Sequence, residues 1–246
     1  MNVSDRTILI TGATRGIGRE LTRQAVALGA RVVAVGRDRD ALAAMRSDRV
    51  AVWPADLADP DAVAALADQV TEQHPDLSVL VNNAAVQTLT DFLAEDPRDL
   101  RPVLRREVAV NLDAVVALST GLLPHLRRRP SAAIVNITTG LALAPKRSAP
   151  VYCATKAAVR AFTRALRYQC QDDAPHVHVV DAVMALVDTD MTRGRGDRKM
   201  TAAEAATAIV DGLRRGSDDI LIGRSRLLPP IMRLSPALGY RILRNT

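Results

Sequence analysis

The sequence predicts a single α/β domain built on a doubly wound parallel sheet flanked by helices, and three observations support this prediction. Short apolar runs with β-branched residues alternate with longer amphipathic stretches along the chain. No long linker, repeat or low-complexity segment separates them. The 246 residues, of which 48% are hydrophobic, suffice for one sizeable core. Such alternation favours a parallel sheet, because the connection between two parallel strands usually contains a helix.

Local signals place each element in chain order. Gly29 is a plausible helix C-cap, Gly36 stops the second strand, Pro60 stands at a tolerated early helical position, and Thr201 and Glu204 have the capping-box spacing. The predicted strands cover 6–10, 31–35, 50–53, 77–81, 132–137, 176–183 and 219–223. The predicted helices cover 16–28, 40–45, 59–74, 97–123, a stretch through 152 to about 171, and 201–214.

Composition excludes several classes of protein. The chain has a net charge of +6, but its basic residues are dispersed and only 2% of residues are aromatic, so we expect no nucleic-acid partner. Two cysteines give no disulfide framework, and no run of about 18 apolar residues predicts a transmembrane helix. The short polar N-terminus is unlike a signal peptide. We therefore expect a cytoplasmic protein, and the four histidines indicate no metal site.

A glycine-rich loop follows the first predicted strand directly. Gly12, Gly16 and Gly18 lie between that strand and the helix after it. Glycines there let a backbone approach a pyrophosphate, and the helix N-terminus offers unpaired N–H groups to an anion. A tight turn with incidental glycines is the alternative. The position of the loop favours dinucleotide binding and a Rossmann-like form of the doubly wound sheet.

Tyr152 and Lys156 are four residues apart in a predicted helix, so they lie on one face, one turn apart. A nearby ammonium favours phenolate and lowers a tyrosine pKa below its usual value near ~10. Such a tyrosine can exchange a proton with an alcohol or carbonyl near neutral pH. Taken alone, the pair is weak evidence, because tyrosine and lysine at helical spacing are usually surface or packing residues.

Four motifs together resemble the short-chain dehydrogenase/reductase family over about residues 5–223. They are Thr-Gly-x-x-x-Gly-Ile-Gly at 11–18, Asn82-Asn83-Ala84, Asn111 within a helix, and Tyr152-x-x-x-Lys156. The resemblance implies hydride transfer between a nicotinamide cofactor and a small-molecule carbonyl or alcohol substrate. It also implies a homodimer or homotetramer.

The same resemblance implies four catalytic residues. Tyr152 would be the acid or base, and Lys156 would bind the nicotinamide ribose and favour the ionised phenol. Asn111 would anchor a water that relays protons, and Thr139 would orient the substrate oxygen. A satisfied core amide is the alternative reading of Asn111.

The resemblance also implies a set of cofactor contacts and a choice between cofactors. An acidic residue at the end of the second strand would select NAD, but the chain has Gly36-Arg37 there and Arg15 in the glycine loop. Both arginines suit a 2′-phosphate, so we expect NADP (NADPH), with NAD left open by Asp38. The implied cofactor-binding residues are Gly12, Thr14, Arg15, Gly16, Ile17, Gly18, Arg37, Asp56, Leu57, Asn83, Ala84, Tyr152, Lys156, Val187 and Thr189.

Three positions depart from the family pattern. Thr139 stands where serine is usual, Met184-Ala185 replaces Pro-Gly after the sixth strand, and Ala85 replaces a glycine. Threonine keeps the hydroxyl but stiffens χ1. The departures leave open a second hypothesis, a catalytically weakened NADP-binding sensor or scaffold.

Two segments extend the predicted domain, which spans 1–246. Residues 190–200 are short, polar and glycine-bearing, and we expect them to form a substrate lid. Residues 224–246 form a basic amphipathic tail, which we expect to be broken at Pro229-Pro230 and Pro236. The tail is typical of segments that lie on an anionic membrane or a partner, and packing on its own domain is the alternative. The tail and the run at 186–191 resemble a branch of the family found in lipoteichoic-acid D-alanylation operons.

Overall fold

Seven strands form one parallel sheet in the computed structural model, which describes residues 1–194, 196 and 199–246. The strands are β1 Thr7–Thr11, β2 Arg31–Gly36, β3 Val50–Pro54, β4 Leu77–Asn82, β5 Ala132–Thr139, β6 Val177–Met184 and β9 Asp219–Leu221, with the short β7 Val187–Asp188 and β8 Met200–Thr201 outside the sheet. Their order across the sheet is β3-β2-β1-β4-β5-β6-β9, and every neighbouring pair is parallel. The predicted doubly wound parallel sheet is therefore confirmed.

Helices cover both faces of the sheet. Their bounds are α1 Gly16–Ala27, α2 Arg39–Ala43, α3 Pro60–Gln73, α4 Pro97–Val108, α5 Ala114–Leu126, α6 Pro150–Asp173, α7 Ala202–Arg215, α8 Leu228–Leu234 and α9 Pro236–Leu243. One apolar core lies between the sheet and α1, α2 and α7, and a second between the sheet and α3, α5 and α6. Because both faces are covered, every residue of β1, β4 and β5 is buried.

The strand order defines where a ligand can bind. The chain runs from β1 through β2 to β3 at one edge and then returns to place β4 beside β1. The loops after β1 and β4 therefore diverge to opposite faces and leave a crevice at the carboxyl ends of these strands. The glycine-rich loop and the Asn82-Asn83-Ala84 segment follow these two strands.

A π-helical turn over Ala109–Asp113 joins α4 and α5, where the sequence predicts one uninterrupted helix. Of the described residues, the resulting helix over Pro97–Leu126 is the one stretch long and apolar enough to cross a membrane by length and composition. Its Leu118, Leu122 and Leu126 are fully buried against the sheet. The α5 part of this stretch therefore packs in the core.

The segments around the predicted lid and the tail hold two differences from the sequence prediction. Residues 187–188 and 200–201 form a two-stranded parallel ladder that closes the base of the lid segment 190–200, of which Arg195, Asp197 and Arg198 lie outside the described residues. The expected break at Pro229-Pro230 is wrong, because both prolines lie in the first turn of α8. The first helical turn has no intrahelical use for its N–H groups and so accepts proline. The expected break at Pro236 is confirmed, since α8 ends at Leu234 and α9 begins at Pro236.

Candidate active site

The glycine-rich loop leads into the N-terminus of α1 with its main chain uncovered by side chains. Gly12 and Gly16 have φ of 66° and 54°, which favour glycine. A Cβ on Gly18 would lie 2.2 Å from the Gly12 carbonyl oxygen and 2.6 Å from Asn83 Nδ2. No side chain caps the first turn of α1 and none of its residues is acidic. The loop therefore presents free N–H groups and the positive end of a helix dipole.

Asn83 and Ala84 form hydrogen bonds to the residues at the start of this loop. Asn83 Nδ2 donates to the carbonyl oxygens of Thr11 and Gly12, at 2.8 and 3.3 Å. The main-chain N–H groups of Asn83 and Ala84 both donate to Thr11 Oγ1 at 3.0 Å. Hydrogen bonds thus join the two loops at the crevice. Contact of Asn83 and Ala84 with a cofactor remains a prediction.

Two exposed arginines lie beside the end of β2. Gly36 faces Thr14, whose Cγ2 lies 3.0 Å from the position of a Cβ on Gly36. Arg15 and Arg37 are both exposed, one on the glycine loop and one after β2. Arg37 also lies close enough to Asp56 to lower the pKa of that carboxyl. The ends of β2 and β3 therefore hold a cluster of mixed charge beside the crevice.

Asp56, which the resemblance assigns to the adenine, has a protein partner that the sequence did not predict. Its Oδ1 and Oδ2 accept hydrogen bonds from Arg106 at 2.8 and 2.9 Å, and Oδ1 also accepts from the Ala58 N–H at 3.1 Å. Burial raises the pKa of Asp56, but these bonds outweigh it and leave the pKa below its usual value. Leu57 is buried in the core beside it. An adenine contact by either residue remains a prediction.

Tyr152 and Lys156 lie in the first two turns of α6 and are both buried. The Lys156 ammonium lies 6.0 Å from the centre of the Tyr152 ring, and Nζ donates to the Ile137 carbonyl at 2.9 Å. Burial lowers the pKa of Lys156 to about 8, while the Asp181 carboxylate opposes that shift. The predicted pair is therefore brought together, with the lysine fixed on strand β5.

Thr139 is the last residue of β5, directly before the 3₁₀ turn Gly140–Ala142 against which α6 packs. Its Oγ1 accepts a hydrogen bond from the Leu141 N–H at 3.3 Å. An accepting hydroxyl keeps its own proton for donation. Thr139 therefore fills the serine position with its hydroxyl oriented by the turn, on the strand that holds Lys156.

Asn111 lies in the π turn and is fully buried. Its Oδ1 accepts from the Val86 N–H at 2.9 Å, and its Nδ2 donates to the Val86 carbonyl at 2.8 Å and to Thr155 Oγ1 at 3.3 Å. The side chain therefore clamps the loop after β4 to α6. π turns within α-helices occur frequently at functional sites. The predicted role as a water anchor remains a prediction.

The comparisons with known proteins agree with this geometry. The family model "short chain dehydrogenase" matches residues 6–199. The chain is also 36% identical over 228 residues to the "Uncharacterized oxidoreductase DltE" of Bacillus subtilis (strain 168), with 89% of each chain covered. This chain belongs to the short-chain dehydrogenase family.

Solved structures place this short-chain dehydrogenase among close relatives in fold. A short-chain dehydrogenase from Burkholderia cenocepacia J2315, in complex with NADP, superposes with a TM-score of 0.87 at 26% identity and 99% coverage of both chains. A member from Burkholderia phymatum, in complex with NAD, superposes with a TM-score of 0.82 at 22% identity, covering 100% of this chain and 97% of the other. The second likeness supports the fold alone.

The last two predicted cofactor residues lie in the segment that follows β6. Val187 is buried in β7, and Thr189 Cγ2 lies 3.1 Å from the position of a Cβ on Gly16. Lys199 anchors the lid segment by donating to the Thr192 carbonyl at 2.7 Å and to Asp188 at 3.2 Å. The segment after β6 therefore returns to the glycine loop despite the Met184-Ala185 departure.

Two buried carboxylates near the candidate site were not predicted from the sequence. Asp181, on β6, accepts from Thr138 Oγ1 and pairs with Arg160, one turn beyond Lys156 on α6. Glu107 is fully buried, and burial raises the pKa of its carboxyl. Its Oε1 accepts from the Thr88 N–H at 3.3 Å, while Oε2 has no partner among the described residues. In the sequence, Asp181 is signalled by its place inside an apolar strand, whereas Glu107 follows Arg105 and Arg106 in a polar helix and has no such signal.

A cleft of about 550 Å³ opens on the flank of α6. Its lining residues are Leu141, Ala142, Pro145, Lys146, Arg147, Pro150, Cys153, Ala154, Ala157 and Arg244. Neither Tyr152 nor Thr139 is among them.

Replacement of Lys156 by methionine should raise thermal stability in the absence of cofactor. Burial lowers the pKa of Lys156 from its ordinary 10.5 to about 8 in the folded state, so below pH 8 the buried charge destabilises the fold by its full amount. The penalty falls as pH rises from 8 to 10.5. We therefore expect Lys156→Met to raise Tm by a few degrees at pH 7, with the gain lost by pH 10.5. Differential scanning calorimetry across this range measures it.

Lys156→Arg is the matched control, because arginine keeps its charge throughout this pH range. It should show no gain in Tm at pH 7. A lower Tm for Lys156→Met at every pH would contradict the burial penalty.

Proposed function

We propose that this dehydrogenase is an NADP(H)-dependent oxidoreductase that interconverts a carbonyl and an alcohol on a small or medium-sized substrate, with Tyr152 as acid or base. The observation that carries this proposal is the buried Lys156, fixed on β5 and 6.0 Å from the Tyr152 ring. Thr139 ends the same strand and supplies a hydroxyl. Burying an ammonium costs free energy, so its retention beside a phenol favours a chemical role over packing.

The chain's own residues suit a dinucleotide at the crevice. A Cβ on Gly12 would meet Ala84, and a Cβ on Gly18 would collide with the Gly12 carbonyl and Asn83, so glycine at both positions lets the start of α1 and the two loops pack closely at the crevice. The uncapped first turn of α1 suits a pyrophosphate. The residues that would hold the dinucleotide are those of the glycine loop, Arg15, Arg37, Val187 and Thr189. When bound, the dinucleotide supplies or removes the two electrons of the reaction.

The protein's part in the reaction is to position the substrate oxygen and move a proton. In reduction, the Tyr152 hydroxyl donates its proton to the developing alkoxide, and the phenolate that forms is stabilised by the Lys156 ammonium. The Thr139 hydroxyl donates a hydrogen bond to the same oxygen. In oxidation, the Tyr152 phenolate removes the alcohol proton. Asn111 holds α6 against the loop after β4, which keeps Tyr152 in place.

The proposed preference for NADP over NAD rests on the positive charge beside the end of β2. Position 36 is a glycine and not an acidic residue, and Arg15 and Arg37 are exposed on the two neighbouring loops. A 2′-phosphate between them would accept charge-assisted hydrogen bonds from both guanidinium groups. The Burkholderia cenocepacia relative, described in complex with NADP, supports the same choice.

Arg37→Ala should weaken NADPH binding by about 10- to 100-fold, because a hydrogen bond to a charged group contributes about 1.5–3 kcal/mol. NADH, which lacks the phosphate, should change by less than about twofold. Isothermal titration calorimetry of both cofactors measures this difference.

Arg39→Ala is the matched control, since Arg39 is an exposed arginine two residues farther along the chain, at the start of α2. It should leave both affinities unchanged. An equal loss of NADH and NADPH affinity in Arg37→Ala, or tighter binding of NADH by the wild type, would exclude the proposed preference.

The reaction itself is tested by isotope transfer. The wild type should convert members of a panel of aldehydes and ketones to alcohols that carry one deuterium atom from 4-deuterated NADPH, detected by mass spectrometry. NADPH binding without transfer to any member of the panel, unchanged in Thr139→Ser, would favour the sensor or scaffold hypothesis instead.

A further inference from the structure

The basic tail, residues 224–246, has a charge pattern unlike the rest of the chain. It holds five arginines and no acidic residue. All five side chains are exposed on the surface of the protein. These arginines are Arg224, Arg226, Arg233, Arg241 and Arg244. The tail therefore concentrates positive charge on the surface, and no acidic side chain of the tail neutralises it.

The same tail exposes large apolar side chains. Leu234 is 86% exposed and Leu227 is 60% exposed. Leu238 and Ile242 are four residues apart on α9, so they form one stripe, and they are 38% and 47% exposed. Tyr240 is half exposed beside them. Apolar side chains that are exposed together and flanked by charge usually mark an interaction surface, whereas single exposed apolar residues are common on any protein.

These residues are exposed on a folded and anchored element. Leu228 Cδ1 lies 2.4 Å from the position of a Cβ on Gly140, so α8 rests on the turn that follows Thr139. Met232 Sδ lies 2.3 Å from the position of a Cβ on Gly239, which packs α8 against α9. The Arg147 N–H donates to the Arg244 carbonyl at 2.9 Å. The apolar side chains therefore point outward because both helices are already packed from within.

Charge decides which partner fits this surface. A second copy that paired through the same face would bring two sets of five arginines together, with no acidic residue in either tail. An anionic bilayer instead offers negative headgroups to the arginines and an apolar interior to the leucines. Arg233 and Arg241 stand next to the apolar positions of α8 and α9, as in helices that lie in a membrane interface.

We propose that the basic tail docks this protein on anionic lipid bilayers. Leu234, Leu238 and Ile242 enter the interface, and the arginines contact phosphate headgroups. Since α8 rests on the turn after Thr139, docking also holds the catalytic end of the sheet near the bilayer. The proposal does not depend on the reaction or on the cofactor preference.

Vesicle flotation of the full chain tests the proposal. Vesicles of phosphatidylcholine alone are compared with vesicles that contain 30% phosphatidylglycerol. We expect at least about tenfold stronger partitioning to the anionic vesicles, and a comparable loss in Arg233→Gln/Arg241→Gln. Leu234→Ser/Leu238→Ser should lose binding as well. Binding that falls steeply between low and high salt accompanies an electrostatic contact.

Arg101→Gln/Arg105→Gln removes two exposed arginines of α4 and is the control for net charge. It should retain vesicle binding. Equal loss in this control would show that the overall charge of the protein, not the tail, carries binding and would overturn the proposal. Absence of binding, or equal binding to neutral vesicles, would also overturn it. Loss of a dimer in the tail variants by analytical ultracentrifugation, without any vesicle binding, would assign the surface to a second copy.

Discussion

Tyr152→Phe should lower the turnover of carbonyl substrates by about 10²–10⁴-fold, the usual contribution of general acid–base catalysis. The substitution removes one hydroxyl from a buried ring and leaves Lys156 on the Ile137 carbonyl. The proposed pyrophosphate site lies on the glycine loop, away from this hydroxyl, so we expect the Kd for NADPH to change by less than about threefold. Steady-state kinetics with NADPH and fluorescence titration give the two quantities.

Tyr168→Phe is the matched control because Tyr168 lies on the same helix and is 55% exposed. Its turnover should equal that of the wild type. If Tyr152→Phe kept wild-type turnover, Tyr152 would not be the acid or base. If it lost NADPH binding in step with turnover, its role would be structural.

Gly18→Ala should weaken NADPH binding by at least about tenfold. The added Cβ would lie 2.2 Å from the Gly12 carbonyl oxygen, a contact that real Cβ atoms do not make, so the loop must move. Displacement of this loop also disturbs Asn83 Nδ2, which donates to Thr11 and Gly12. Overpacking of this kind costs about 1–3 kcal/mol. Isothermal titration calorimetry and thermal melts measure affinity and stability together.

Gly29→Ala provides the comparison. Gly29 has a φ of 93° but nothing within 4 Å of an added Cβ, so alanine there strains the backbone away from the crevice. Its melting temperature should fall while its NADPH affinity stays close to that of the wild type. Wild-type NADPH affinity in Gly18→Ala would show that the loop does not bind the pyrophosphate.

Much of the fold could be predicted because its signals are local. A buried parallel strand appears as an apolar run, as at Val32–Val35 or Ile134–Val135. Turn and cap residues such as Gly29 and Thr201 mark the ends of helices. The spacing of Tyr152 and Lys156 required only helical periodicity. These features depend on neighbours in sequence, and the sequence predicted all of them.

The remaining features depend on contacts between distant residues. Arg106 reaches Asp56 across 50 positions, and Arg160 reaches Asp181 on β6. The β7–β8 ladder adds two residue pairs across the lid segment, too short to leave a period-2 signal. The π turn at Asn111 inserts no unusual residue type into an otherwise helical pattern. Such features follow from tertiary packing, so no sequence pattern of their own predicts them.

From the sequence alone it was open whether the Thr139 hydroxyl could replace that of the usual serine. The structure gives a physical reason to expect that it can. A threonine is stiff at χ1, so its hydroxyl is useful only when the preferred rotamer suits the site. The Leu141 N–H bonds to Thr139 Oγ1 and orients it at the end of β5. The hydroxyl proton remains free to be donated to a substrate oxygen.

A crystal structure of the protein with NADP bound tests the central claim most directly. We predict the pyrophosphate on the glycine loop at the N-terminus of α1 and the 2′-phosphate between Arg15 and Arg37. Thr139 Oγ1 and Tyr152 Oη should face one common point next to nicotinamide C4, with Lys156 on the ribose. A nicotinamide ring held away from Tyr152, or a 2′-phosphate without either arginine, would contradict the account.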